Sequence, residues 1–385
     1  MRIGLDYTVG VYQGSGVGRY ARGLAHALAD LDRENDYTLL WARANGPDGQ
    51  ELPRLDRAAG FPPNFRARRL PLDNRLLTAG WQRLRLPVPV ELFSGPLDVL
   101  HAPDFVAPPA RRARTCVTIH DLTFLTVPQF AHPRLRAYLA ATVPRSLGRA
   151  DHVFADSEAT RDDLLNLLGV PPEKVTVVYV GADPRFRPLD DDERAEVRPR
   201  LAAAGVPDGP YLLSVSTLEP RKNYVGLLRA FAALRDRGLP HRLVVAGKRG
   251  WLEEPIFAAA ADLRLGDAVA FLDFCPDALL PALYACADLF VLPSFYEGFG
   301  IPLLEAMGCG TPAVVSDRPS LPEIAGGAAR LVTPDDTEAL VEAAWALLHD
   351  AAARAALRER GLARARAFDW HLSARRVLAR YRAIK

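Results

Sequence analysis

Two short segments concentrate the residue types that can grip a phosphorylated, hydroxyl-rich ligand. The first runs Pro293-Ser294-Phe295-Tyr296-Glu297-Gly298-Phe299-Gly300-Ile301-Pro302-Leu303-Leu304-Glu305-Ala306-Met307-Gly308, after the apolar run Leu289–Leu292. Its glycines allow a backbone to approach a ligand closely. Pro302 suits the first turn of a helix, and a helix N-terminus favours an anion such as a diphosphate. Glu297 falls on the loop and Glu305 about one turn into the helix, so each carboxylate can accept hydrogen bonds from a diol, one on a sugar and one on a ribose. Helix preference accounts for Glu305, but not for a glutamate set in Glu-Gly-Phe-Gly.

The second segment is Ser216-Thr217-Leu218-Glu219-Pro220-Arg221-Lys222-Asn223, directly after the apolar run from Tyr211 to Val215. A guanidinium and an ammonium at a strand-to-helix junction can neutralise a pyrophosphate leaving group without a metal. The chain has 48 basic residues and only four are lysines (Lys174, Lys222, Lys248, Lys385), which argues against an idle surface role for Lys222. A third candidate, Thr118-Ile119-His120-Asp121-Leu122, ends a strand. His120 there, with Asp121 beside it, can contact a donor sugar or an acceptor, since strand ends face a cleft. The loop Gly14-Ser15-Gly16-Val17-Gly18-Arg19 would match a dinucleotide fingerprint only with glycine at position 19. Arg19 therefore argues against a nicotinamide dehydrogenase. Asp190-Asp191-Asp192 reads as a solvated helix start rather than a metal motif.

These segments need a scaffold of strands and helices in alternation. Strands are expected at 3–7, 37–41, 99–102, 115–119, 151–155 and 175–180, then at 211–216, 242–246, 268–272, 289–292 and 313–316. Helices between them, such as 17–31 and 158–168, show apolar residues at 3–4 spacing. Alternation of this kind implies parallel, doubly wound sheets. Residues 1–185 form one Rossmann-like domain, joined by a C-terminal helix at 371–385. Residues 186–208, rich in Pro, Asp and Arg, read as a linker with one short helix inside, and residues 209–367 form a second Rossmann-like domain. Two such domains facing each other across a cleft would bind ligand at the carboxyl ends of their strands.

Composition narrows the class. With 385 residues, 49% hydrophobic and 24% charged, the chain has the profile of a two-domain soluble enzyme. No apolar run approaches a membrane span, and Asp6 interrupts the start before a signal peptide can form. The expected location is cytoplasmic. Cys116, Cys275, Cys286 and Cys309 are scattered, which suggests reduced thiols rather than disulfides or zinc. Residues 1–150 carry 20 Lys/Arg against 13 Asp/Glu, whereas 151–385 carry 28 against 33. A basic first half suits an anionic partner, such as a phospholipid surface or a lipid pyrophosphate.

Glu-x7-Glu enclosing Glu-Gly-Phe-Gly resembles the signature of family 4 of the retaining nucleotide-sugar glycosyltransferases, which have the α/β, two-domain GT-B fold. The resemblance extends from Gly16-Val17-Gly18-Arg19-Tyr20 to Phe368-Asp369-Trp370. It implies that residues 1–185 form the acceptor domain and 209–367 the nucleotide-sugar donor domain, with Glu297 contacting the donor sugar and Glu305 the nucleotide ribose. The backbone of Gly298, Phe299, Gly300 and Ile301 would then lie beside sugar and phosphates. Arg221 and Lys222 would hold the diphosphate, Gly16 would lie near it, and Arg19 and Asp121 would lie on the acceptor side, Arg19 to meet an acceptor phosphate. Ser216 and Lys248 would line the nucleotide pocket, and Phe274 would lie by the base. Many members carry Gly-Arg where this chain has Ser216-Thr217, and the Glu-Pro-Arg-Lys-Asn form is similar to a mannosyltransferase-like branch. The implied reaction is retaining transfer of a hexose from a nucleotide diphosphate, GDP-mannose favoured, to a glycan or lipid-linked acceptor in envelope synthesis. It requires no metal and no cofactor, and nucleic acid is not an expected partner. Two rivals remain, a sugar phosphorylase of the same fold with pyridoxal phosphate and an inactive nucleotide-sugar-binding protein.

Overall fold

The structure is a computed structural model and describes residues 1–43, 60–273 and 275–385. The chain divides into two compact units. The first comprises Met1–Leu125, Arg134–Gly181 and Asp369–Lys385, and the second Thr126–Pro133 and Ala182–Phe368.

The first unit is built on a seven-stranded sheet. Its strands are β1 (Arg2–Asp6), β2 (Asp36–Arg43), β3 (Phe65–Asp73), β4 (Val99–Ala102), β5 (Arg114–Ile119), β6 (His152–Ala155) and β7 (Val175–Val177). All pairings are parallel, in the order β3-β2-β1-β4-β5-β6-β7. Central strands are buried throughout, as in Val99–Ala102 and His152–Ala155, because helices cover both faces of a parallel sheet. The helix Gly16–Leu31 buries Tyr20, Leu24 and Leu28. Trp370, at the start of the last helix (Trp370–Ile384), packs against Gly23 and Gly181. A Cβ at those glycines would come within 2.4 and 2.3 Å of the indole, so only glycine fits there. At the other end of that helix Tyr381 OH lies 2.6 Å from His101 Nδ1, and His101 Nε2 lies 2.8 Å from Thr118 Oγ1. Burial holds His101 neutral, with its pKa down at about 3.

The second unit carries β8 (Tyr211–Val215), β9 (Arg242–Ala246), β10 (Val269–Leu272), β11 (Leu289–Leu292), β12 (Ala313–Ser316) and β13 (Arg330–Val332). They pair in parallel in the order β10-β9-β8-β11-β12-β13. Leu212, Val245, Val291 and Val314 form its core with Leu227 and Phe231 from the helix Tyr224–Asp236.

Residues 186–208, expected as linker, lie in this second unit. Asp190 and Glu193 form a reciprocal capping box that starts the helix Asp191–Ala203. Leu201 and Val206 are buried, and Phe186 packs edge-on to Tyr284 at 5.7 Å. The triple aspartate is therefore a helix start. Two strands, β3 and β13, lie outside the expected set. All four cysteines are free.

Candidate active site

In the second unit the strand order reverses between β8 and β11, the place where open α/β sheets bind ligands at their carboxyl ends. The chain leaving β8 makes a single 3-10 turn, Pro220–Lys222, and then the helix Tyr224–Asp236. Asn223, at φ 56°, caps that helix by accepting from Gly226 N. The chain leaving β11 forms the loop 293–300. Gly300, at φ 99°, then starts the helix Ile301–Gly308, with Pro302 in its first turn. A Cβ at Gly300 would lie 2.6 Å from Leu321. Both conformation and space thus require glycine there.

These two turns bring the sequence candidates together. Lys222 Nζ donates to both oxygens of Glu297, at 2.7 and 2.8 Å. Arg221 donates to Glu297 Oε2 at 3.2 Å and to the Tyr296 carbonyl at 2.6 Å. Its other amino group donates to Glu219. The backbone of Glu297 is fixed as well: its N–H donates to Pro319 O at 2.8 Å, and its carbonyl accepts from Ser320 N at 3.0 Å. Glu219, Lys222, Glu297 and Glu305 are all buried. Burial alone would raise the Glu297 carboxyl, but Lys222 and then Arg221 overcome it and hold the pKa down at about 2. Glu297 is therefore a carboxylate at any working pH.

Glu305 is the fifth residue of the helix Ile301–Gly308. Ser216 Oγ lies 2.7 Å from Tyr224 OH, beside Gly247, where a Cβ would strike Ser216 O. Lys248 is exposed, and its carbonyl accepts from Leu218 N at 2.9 Å. Phe274 lies outside the described residues. Sequence reasoning gives Glu219 no role. It also misses the excursion Thr126–Pro133, in which Phe130 stacks on Phe295 at 4.8 Å and accepts from Trp251 Nε1 at 2.8 Å. Nothing in the local sequence of that excursion signals the contact.

The first unit has a second constellation, also around its switch point, between β1 and β4. Asp6, Asp104, His120 and Asp156 sit at the carboxyl ends of β1, β4, β5 and β6, four adjacent strands. His120 Nδ1 lies 2.6 Å from Asp156 Oδ2, and Nε2 donates to the Pro103 carbonyl at 2.9 Å. Both ring nitrogens thus face acceptors. Burial would lower the His120 pKa, but Asp156, then Asp104 and the Pro103 carbonyl, raise it to about 9. Burial raises Asp104 to about 6. Tyr20 and Phe105 pack edge-on to the His120 ring at 5.1 and 5.5 Å. Asp121 accepts from Thr123 N at 2.9 Å and Thr123 Oγ1 at 2.7 Å, so its carboxylate also shapes the next turn. Gly16 opens the helix Gly16–Leu31, and Arg19 N donates to Ser15 O at 3.0 Å.

Comparison with known proteins decides the family. The model of Glycosyltransferase Family 4 matches residues 14–186, and that of Glycosyl transferases group 1 matches residues 202–364. Over 364 residues the chain is 31% identical to the O-antigen chain mannosyltransferase B of Escherichia coli, covering 93% of each. The chain belongs to the family 4 glycosyltransferases.

Solved structures agree on the fold. Sucrose-phosphate synthase from Thermosynechococcus elongatus matches with a TM-score of 0.76 at 22% identity, over 100% of this chain and 99% of that one. Anabaena HepE in complex with UDP and glucose matches with a TM-score of 0.71 at 21% identity, over 98% of each chain. This glycosyltransferase therefore has the GT-B fold, with its Glu-x7-Glu motif in the group 1 half. Among the described residues no His/Cys/Asp/Glu group is suited to a metal ion, and no helix is long and apolar enough to cross a membrane.

Proposed function

We propose that this glycosyltransferase moves mannose from GDP-mannose, with retention of anomeric configuration and without a metal, to a glycan or lipid-linked acceptor of envelope polysaccharide. The observation that carries the reading is the Lys222–Glu297 pair at the sheet's switch point, next to the N-terminal end of the helix Ile301–Gly308. A cation and a helix N-terminus together suit a departing diphosphate. Glu297, kept ionised, is an acceptor for sugar hydroxyls, and Glu305 for the ribose. Mannose is favoured by the O-antigen relative and by the Glu-Pro-Arg-Lys-Asn segment. The engagement of Glu297 by two cations argues against its use as a covalent nucleophile. Attack on the donor's leaving-group face, assisted by the departing phosphate, fits retention. Lys222, held by both oxygens of Glu297, is poorly placed for a pyridoxal Schiff base.

The reading keeps the protein cytoplasmic, with peripheral membrane contact through the first unit. Leu72, Leu76, Leu84 and Leu86 are exposed among exposed Arg75, Arg83 and Arg85. Asp73, the one acid in that stretch, accepts from Leu76 N at 2.8 Å to cap the helix Asn74–Thr78. Apolar side chains ringed by arginines suit an anionic bilayer.

A thermal-shift panel of GDP, UDP, TDP and ADP sugars, with and without EDTA, tests the donor assignment. GDP-mannose should raise Tm most, because a ligand of the folded state stabilises it, and EDTA should change neither shift nor turnover. No response to any nucleotide overturns the donor site; a larger shift with UDP overturns the base.

A further inference from the structure

We infer that Glu219 and Arg221 form a buttress that sets the Glu297 carboxylate, and that the donor diphosphate is carried by Lys222 and the helix N-terminus, not by Arg221. The inference rests on the donor-site reading above and assigns Glu219 a positioning role. The geometry of Arg221 carries it. One amino group of its guanidinium donates to the Tyr296 carbonyl and to Glu297 Oε2, and the other donates to Glu219. Its own carbonyl accepts from Phe295 N at 2.8 Å. Residue 221 thus holds the strap 295–297 from both main chain and side chain. Its side chain is 16% exposed and that of Glu219 only 2%. A guanidinium engaged on these sides by buried protein acceptors has little left to offer an incoming phosphate.

Lys222 differs. Its ammonium has three N–H donors, and the Glu297 carboxylate takes two. It is compact and directly precedes Asn223, the cap of the helix Tyr224–Asp236. The charges also balance as a group: two cations, Arg221 and Lys222, face two carboxylates, Glu219 and Glu297. Without the Glu219 charge, Arg221 would turn fully onto Glu297. Lys222 already meets both carboxylate oxygens, so a second full cation bond would leave fewer lone pairs for a sugar hydroxyl. Glu219 keeps Arg221 shared, and so leaves Glu297 capacity to accept.

The test compares Glu219→Gln, Arg221→Lys and Lys222→Gln with wild type. Steady-state kinetics gives kcat and donor KM, and calorimetry gives Kd for GDP, with UDP in parallel. Circular dichroism and Tm report folding. Losing one charge-assisted hydrogen bond should lower kcat about 10- to 100-fold in E219Q and R221K. Their GDP Kd should stay within about threefold of wild type, whereas K222Q should weaken GDP about tenfold or more. Glu219→Asp, which restores the charge on a shorter stem, should recover part of kcat. An R221K protein that loses GDP affinity as K222Q does, or an E219Q protein with unchanged kcat, overturns the buttress and leaves the donor site standing. Wild-type protein that binds neither GDP nor UDP overturns both. Should E219Q fail to fold, R221K alone makes the same distinction.

Discussion

Replacing Glu297 by Gln keeps the shape of the side chain and removes its charge, and the geometry sets the size of the effect. The carboxylate meets Lys222 at 2.7 and 2.8 Å and Arg221 at 3.2 Å, in a residue 6% exposed. A hydrogen bond to a charged group contributes about 1.5–3 kcal/mol. Losing one to a sugar hydroxyl in the transition state slows transfer about 10- to 200-fold. The same change leaves the Lys222 ammonium facing a neutral amide. Breaking a buried pair outright costs about 3–5 kcal/mol. Gln still offers one acceptor, so the loss should fall near or below the lower end of that range, about 2–3 kcal/mol. For domains of this size each kcal/mol moves Tm by about 2–4 °C, so Tm should drop by roughly 5–10 °C. The pH dependence has a definite sign. The folded-state pKa, about 2, lies below the ordinary 4.5. The pair's contribution is therefore complete above pH 4.5 and is lost as pH falls through about 2. The assay is the initial rate of transfer from labelled donor at saturation, with calorimetric Tm across pH. Transfer within threefold of wild type removes Glu297 from the reaction. An unchanged Tm at pH 7 refutes the energetic argument instead.

Two further outcomes follow from the first unit. Asp156→Asn should lower the His120 pKa from about 9 toward or below its ordinary 6.5, as read by NMR titration of the ring. The wild-type pair contributes below pH 6.5 as far down as the Asp156 carboxylate, itself pushed up by burial, stays ionised, and it fades as pH rises through about 9, so the Tm gap between the proteins should close in that upper window; a His120 pKa unmoved by the substitution refutes the pairing. Leu84→Ser with Leu86→Ser should reduce co-sedimentation with vesicles containing phosphatidylglycerol severalfold, while donor binding stays unchanged. Equal sedimentation of variant and wild type, or no preference for anionic over phosphatidylcholine vesicles, refutes the docking patch.

The buried strands are legible in the sequence because a strand covered on both faces is almost continuously apolar. Leu289–Leu292 and Ala313–Ser316 are of that kind, with every residue buried. β3 is concealed for the complementary reason. Phe65–Asp73 is an edge strand whose Arg66, Arg68 and Arg69 are exposed, so no apolar run marks it. β13 has only three residues, two of them exposed, and carries too short a pattern to read. The start of the helix Asp191–Ala203 is legible at Asp190-Asp191-Asp192, but its extent is concealed, because Pro199 and its many charges read as a connecting segment. Its capping box is nonetheless visible as Asp190 and Glu193.

The site divides along a different line. Residue types disclose the members, because neither packing nor solubility calls for a glutamate between a tyrosine and Gly-Phe-Gly, or for a rare lysine in an arginine-rich chain. They do not disclose the partnership. Lys222 and Glu297 are 75 positions apart, and they meet only because β8 and β11, which precede them, are neighbours where the strand order reverses. The same reversal between β1 and β4 gathers Asp6 and Asp104 beside His120, three residues that no local motif joins. A strand end chosen by topology therefore decides which ionisable groups share a dielectric environment. That environment, rather than residue type, separates Glu297, held at about 2, from Asp104, raised to about 6. Two carboxyls at equivalent ends of two similar sheets, Glu297 buried and Asp104 half-buried, diverge because one faces a lysine and an arginine directly and the other has only the histidine's weaker pull.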